Sequence, residues 1–122
     1  MTPAQHETLA AGRWQVFSLV EQLANVGSEV ERALTWLDKR NPEYSRLAFL
    51  RALELLNLTI ADPKHRNRLR ELTRLREALL DYFLGDNEFR SSEKIWRSYF
   101  YQFAYAAALR KSQNRPYPNP GG

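Results

Sequence analysis

Proline placement constrains this chain more than any other feature. The six prolines stand at 3, 42, 63, 116, 118 and 120. Proline lacks a backbone N–H and its ring clashes with the preceding turn, so it breaks helix interiors. The long proline-free stretches between those positions are therefore free to be helices, and four of the five glycines (12, 85, 121 and 122) also fall outside the periodic segments.

The first predicted helix runs from about Arg13 to Arg40. Val16, Leu19, Leu23, Val26, Val30, Ala33 and Leu37 repeat at alternating spacings of three and four, an unbroken heptad stripe. Asn41-Pro42 ends it, because the residue before proline is pushed out of the α region. A second helix follows from about Glu43 to Ala61. Phe49, Leu53, Leu56 and Ile60 form one stripe, and Tyr44, Ala48, Ala52 and Leu55 another beside it. So wide an apolar face predicts a central position. Asp62 then reads as an N-cap and Pro63 as the first residue of a third helix, reaching Leu84 through Leu69, Leu72, Leu75, Leu79 and Phe83. Gly85 is placed to adopt a left-handed C-terminal cap. Ser91 or Ser92 caps a fourth helix that extends to about Lys111.

No segment alternates as a strand does, so the fold class is all-α, and short connections predict an antiparallel up-down four-helix bundle. Residues 1–12 are expected to be a flexible N-terminal segment, residues 13–111 the bundle and residues 112–122 a disordered C-terminal tail rich in Pro, Gly and Asn. A chain of 122 residues suits one domain and can bury a core without a metal or disulfide staple. It has no cysteine, and its two histidines, His6 and His65, have no paired-ligand spacing. Thiolate and histidine metal sites are thereby excluded as expectations, and no cofactor is predicted. No apolar run reaches the roughly 20 residues that a membrane helix needs, and no signal pattern opens the chain. The expected setting is the cytoplasm, with no membrane partner.

Three constellations stand out as candidate sites. Beside the heptad of the first helix, Ser18, Gln22, Asn25, Glu29, Arg32 and Trp36 follow at spacings of four and three, and so share a face next to the core seam. Gln22, Asn25, Glu29, Arg32 and Trp36 are the candidates for a polar groove. Gly27 and Ser28 lie in the middle of that helix at a cost in propensity, of roughly 1 kcal/mol for glycine. Such a cost predicts close approach of a backbone, a partner helix or a ligand. Helix packing over Gly27, with Glu29 and Arg32 as an ordinary ion pair, is the structural alternative.

The second is basic. The chain carries 14 Arg among its 18 basic residues, against 14 acidic ones, for a net charge of +4. Lys64, Arg66, Arg68, Arg70, Arg74 and Arg76 face only one acid, Glu71, within residues 64–76. Arg66, Arg70 and Arg74 recur at i, i+4 spacing, a row suited to phosphates. Lys64, Arg66, Arg68, Arg70 and Arg74 are thus candidates for binding RNA or another polyanion. Pairing with Glu71, Glu77 and Asp81 along the helix is the alternative.

The third is aromatic. Trp96, Tyr99, Phe100, Tyr101, Phe103 and Tyr105 fall within ten residues, with Trp96, Tyr99, Phe103 and Ala106 as the expected core stripe. Tyr101 and Tyr105 lie on another face that a lone bundle leaves exposed, so they are candidates for self-association as a dimer or larger homo-oligomer. No catalytic residue is assigned. Nothing matches a phosphate loop, a nucleophile elbow or a paired-histidine helix, although Glu54 and Asn57 are the best prospects for buried polar groups with a role. His65, among arginines, is expected to have a low pKa.

The runs EQLANVGSEVERAL (21–34), RALELLNLTIADP (51–63), RLRELTRLRE (68–77) and DYFLGDNEF (81–89) resemble a family of small bacterial and archaeal helical proteins of uncharacterised function. The fold is also similar to HEPN-type helical domains, many of which act on or near RNA. Their ribonuclease motif has an Arg four to six residues before a His. Here those places before His65 hold Ala61, Ile60 and Thr59, which departs from that motif. A HEPN-like ribonuclease or nucleotide-handling enzyme is accordingly the last of three readings. A non-enzymatic, self-associating interaction module comes first and polyanion binding second.

Overall fold

The computed structural model describes residues 12–114, and every α-helix longer than a single turn falls into four spans: α1 Leu19–Asp38, α2 Pro42–Ala61, α3 Leu69–Leu84 and α4 Glu93–Asn114. A 3-10 segment, Pro63–Arg68, joins α2 to α3. The fold is all-α, and no strand occurs among the described residues. The expected flexible start and most of the expected disordered tail (residues 1–11 and 115–122) lie outside those residues. Residues 112–114, expected in the tail, belong to α4.

Residues 13–17 are not part of the first helix, contrary to what the heptad implies. Ser18 is the N-cap, and Ser18 and Glu21 form a reciprocal capping box: the Glu21 N–H donates to Ser18 Oγ (3.2 Å), and the Ser18 N–H donates to Glu21 Oε1 (3.1 Å). Glu21 is held below the usual carboxylate range by the hydrogen bonds from Ser18. Upstream, the chain turns back over the helix end. Trp14 is buried and Val16 is 82% exposed, so Val16 drops out of the core stripe, as does Leu37 at the other end.

At its C-terminus α1 closes in a Schellman motif. The Arg40 N–H donates to Leu37 O and the Asn41 N–H to Trp36 O, both at 2.9 Å, with Arg40 in the left-handed region (φ 59°). Asn41 then caps α2 through its side chain, which accepts from the Tyr44 N–H, and Pro42 takes the first helical position.

The core comprises Leu23, Val26, Val30, Ala33 and Leu34 of α1, Ala48, Phe49, Ala52 and Leu56 of α2, Leu72, Leu75 and Leu79 of α3, and Trp96 and Phe100 of α4. α1 packs along both α2 and α4, and α2 along α3. Of the two stripes expected on α2, Ala48, Phe49, Ala52 and Leu56 are buried while Tyr44 is exposed, as are Leu47 and Leu50 outside them. In α4 the buried pair is Trp96 and Phe100, stacked at 6.1 Å, while Tyr99 and Phe103 are half-buried.

Two glycines sit where space for a side chain is short. A Cβ on Gly27 would lie 2.8 Å from Phe100 Cβ, so α1 and α4 touch there with nothing between them. A Cβ on Gly85 would lie 3.0 Å from Asp81 O. Gly85 ends α3 with φ −106°, not in the left-handed cap expected of it. The left-handed residues of this turn are Asn87 and Arg90 (φ 55° each). The Asp81 carboxylate accepts the N–H groups of Glu88 (2.8 Å) and Phe89 (3.0 Å), and Asn87 exchanges two hydrogen bonds with the Ser91 backbone. Ser92 then caps α4 by accepting from the Ile95 N–H.

Candidate functional site

The five residues aligned as a polar groove separate in three dimensions. Gln22 is wholly buried. Asn25 is exposed and donates to Glu21 O one turn back (2.8 Å). Glu29 pairs with Arg32 (3.3 Å) and, across to α2, with Arg51 (3.7 Å). Trp36 packs edge-on against Tyr44 (4.9 Å), with the Lys39 ammonium 5.2 Å above its ring. Arg32 and Trp36 share a shallow surface recess with Ser28, Glu31, Thr35 and Lys39; Gln22 and Asn25 do not line it.

Gln22 instead anchors a buried polar network that periodicity does not reveal. Its Nε2 donates to Trp14 O (2.9 Å), Phe17 O (3.2 Å) and Asp62 Oδ2 (2.9 Å), and its Oε1 lies 2.7 Å from His65 Nε2. With Oε1 an acceptor only, the His65 proton must sit on Nε2. Trp14 Nε1 donates to Thr59 Oγ1 (2.9 Å), and that hydroxyl donates to Leu55 O. Burial pushes the Asp62 carboxyl up, but hydrogen bonds from Gln22 and from the Lys64 N–H and ammonium outweigh it and hold the group below its usual range. Burial holds His65 below the usual histidine range, against the pull of Asp62. The Lys64 ammonium bridges Asp62 (3.2 Å) to the carbonyls of Gln15 and Phe17, fastening the turn over the helix end. Every named polar group here has a protein partner, so the network's chemistry is that of a clasp. Glu54 and Asn57, expected to be buried, are exposed; Asn57 accepts from Arg76 Nε (2.8 Å).

The basic residues remain on the surface. Lys64 is used by the clasp, and Arg68 pairs with Glu71 (2.8 Å). Arg66, Arg70 and Arg74 are exposed and have no ion pair among the described residues. Asp81, expected to pair along this helix, is committed to the turn after α3.

α1 and α4 enclose a groove of about 460 Å³, floored by Ala24, Gly27, Leu34, Trp96 and Phe100 and edged by Tyr101. Trp96 is buried, and its indole Nε1 is a buried donor with no protein acceptor among the described residues. At one end of the groove Arg97 contacts three carboxylates: Glu31 (2.9 Å), Asp38 (3.4 Å) and Glu93. The crowding is felt by Glu93, whose carboxyl is raised by sharing a hydrogen bond with Asp38. On the outer face of α4, Tyr101 (67% exposed) and Tyr105 (56%) stack at 6.2 Å, with Leu109 exposed one turn further on.

Among the described residues no group of three or more metal-ligating side chains converges, and no helix is long and apolar enough to cross a membrane. Compared with protein-family models, with curated proteins and with solved structures, the chain matches none.

Proposed function

We propose that this chain is a cytoplasmic, non-enzymatic interaction module: an antiparallel up-down four-helix bundle that self-associates through the outer face of α4. The bundle topology is supported by which ends meet. Gln22 reaches Asp62 while Ala33 O accepts from Ser45, Gly27 meets Phe100 while Asp38 meets Arg97, and Asn57 bonds Arg76 while Phe49 stacks on Phe83.

One observation carries the self-association reading. Tyr101 and Tyr105 stack on each other in solvent, on a helix whose opposite face is already core. Large rings left in water forfeit a free energy of about 25 cal/mol per Å² of apolar area, which a partner surface recovers. Light scattering on the parent and on a Tyr101→Ser/Tyr105→Ser variant tests it. The parent should be an oligomer and the variant a folded particle of 14.3 kDa; equal masses for both would refute the assignment.

Polyanion binding is a second reading, favoured by Arg70 and Arg74, one turn apart on α3, and by Arg66 in the 3-10 segment before it rather than on the same helix; all three are exposed and have no acid to pair with among the described residues. If it holds, affinity for a generic single-stranded RNA falls with salt, and the triple alanine variant flattens that slope by about 0.7 for each phosphate it no longer neutralises. A parent protein with no salt-dependent binding removes this reading. The ribonuclease reading has the least support, because the His65 ring is buried and its Nε2 is engaged with Gln22.

A further inference from the structure

We propose that residues 13–17 form a strap that lifts from the end of α1 as a unit while the four helices stay folded, and that a proton taken up by His65 drives the lifting. The motion needs neither self-association nor polyanion binding.

The strap is held in a way that lets it leave alone. Two backbone hydrogen bonds form inside it, from the Val16 N–H to Arg13 O (3.3 Å) and from the Phe17 N–H to Trp14 O (3.1 Å). Its ties to the rest of the molecule run through side chains. Gln22 donates to the carbonyls of Trp14 and Phe17, Lys64 donates to those of Gln15 and Phe17, and the Trp14 indole donates to Thr59. Of its five side chains Trp14 alone is buried. α1 does not depend on it, because the capping box of Ser18 and Glu21 closes the first turn by itself. A segment with so little buried apolar contact opens at a free energy well below that of global unfolding.

His65 couples this motion to protons. Its ring is buried, with Nε2 donating to Gln22 Oε1 and lying 3.5 Å from Asp62 Oδ2. The Asp62 charge is already answered by the Lys64 ammonium at 3.2 Å. A second ring proton, on Nδ1, would leave Asp62, Lys64 and His65 with one uncompensated positive charge beside Arg68. Asp62, Lys64 and Arg68 are the charged groups that act on the ring; α1 and α2 bring Gln22 and Thr59 to the clasp, and neither titrates. Burial outweighs the attraction of Asp62, so the closed form takes up the proton less readily than the open one. Closure is therefore most favoured above about pH 6.5. Below that, the ratio of open to closed strap rises by about tenfold per pH unit, until the closed form is itself protonated. Asp62 and Glu21, both held below the usual carboxylate range, stay ionised between about pH 6.5 and pH 5. Opening frees the Lys64 ammonium from Gln15 and Phe17 and brings Asp62 and His65 into water.

Hydrogen exchange of the tryptophan indole protons, followed by NMR on the full chain, tests this. The Trp14 proton reports the strap, and the Trp96 proton, inside the core, reports the bundle. After correction for the exchange of a free indole at each pH, Trp14 should open more often than Trp96 and with a weaker dependence on urea, since the strap exposes little surface. Its opening constant should rise by about tenfold per pH unit below about pH 6.5. His65→Gln keeps a donor for Gln22 but takes up no proton, so Trp14 should stay protected and the slope should vanish. The His65 ring signal of the parent gives a readout that needs no variant: in the folded protein it should titrate below about pH 6.5, at the pH where the slope levels off. Equal opening and equal urea dependence for the two indoles would show that the strap does not lift alone and overturn the proposal. A slope that survives in His65→Gln, or a folded-state ring that titrates at or above about pH 6.5, would overturn the role of the proton.

Discussion

Replacing Gly27 with alanine pits two opposed effects of known size against each other. In a helix interior the exchange should stabilise by about 1 kcal/mol, because glycine loses more backbone freedom on folding. At this position the new Cβ would stand 2.8 Å from Phe100 Cβ and 2.9 Å from Cγ and Cδ1, whereas carbon atoms rest at about 3.5–4.0 Å. Phe100 cannot turn aside. It is buried, stacked on Trp96 and met edge-on by Tyr99 at 5.0 Å, and its Cβ moves only with the backbone. α4 must therefore retreat from α1. Overpacking of this kind costs about 1–3 kcal/mol, so Gly27→Ala should destabilise by about 1 kcal/mol net. Urea unfolding followed by far-UV circular dichroism measures it, and repeating the exchange in a Phe100→Gly background, which removes the Cβ as well as the ring, isolates the contact. With both gone, alanine should be neutral or slightly stabilising, a coupling of about 1–2 kcal/mol. If Gly27→Ala stabilises the parent by the full propensity gain, and equally in both backgrounds, the helices do not touch at this point.

Three further outcomes are expected. Gln22→Leu strips Asp62 and His65 of a buried partner and should cost about 2–4 kcal/mol in urea unfolding; a loss under about 1 kcal/mol would mean that the clasp is not closed in solution. For pH, the folded state binds the proton of His65 less readily than the unfolded chain, so its contribution is complete above about pH 6.5 and is lost as pH falls through the folded pKa below that. Asp62, also depressed, contributes above about pH 4 and fails on further acidification. Unfolding curves should thus show stability declining from about pH 7 to pH 5, and His65→Gln should flatten that decline; stability that rises on acidification would reverse the sign assigned to His65. Finally, Arg40→Gly relieves the left-handed residue of the Schellman motif and should unfold at higher urea than Arg40→Ala, by about 0.5–1 kcal/mol. Equal midpoints would place Arg40 outside that conformation.

The breaks in the helices are legible where a residue type allows only one backbone. Pro42 and Pro63 each open a helical segment, and Asn41 and Asp62 cap them through their side chains. The middle of the heptad is equally plain, since Leu23, Val26, Val30 and Ala33 are all buried. Its ends mislead. Val16 fits the spacing by number, but the capping box of Ser18 and Glu21 starts the helix after it. That signal is present in the sequence, and the longer stripe obscures it.

Gln22 shows what a one-dimensional reading misses. By spacing it belongs to a polar surface row, yet the turn at residues 13–17 folds back and roofs it. Chain reversal onto a helix end leaves no trace in the helix's own period. Arg40 and Gly85 illustrate a related failure of residue preference: the arginine takes the left-handed conformation and the glycine, at φ −106°, does not. Of the candidate site residues, Tyr101 and Tyr105 lie where helical spacing puts them, on the outer face of α4.

Sedimentation equilibrium on the unmodified protein over a wide concentration range tests the central claim most directly, because a face of stacked, exposed tyrosines needs only a second copy to cover it. The average mass should climb from 14.3 kDa toward twice that value as concentration rises. A mass fixed at 14.3 kDa throughout would contradict the account.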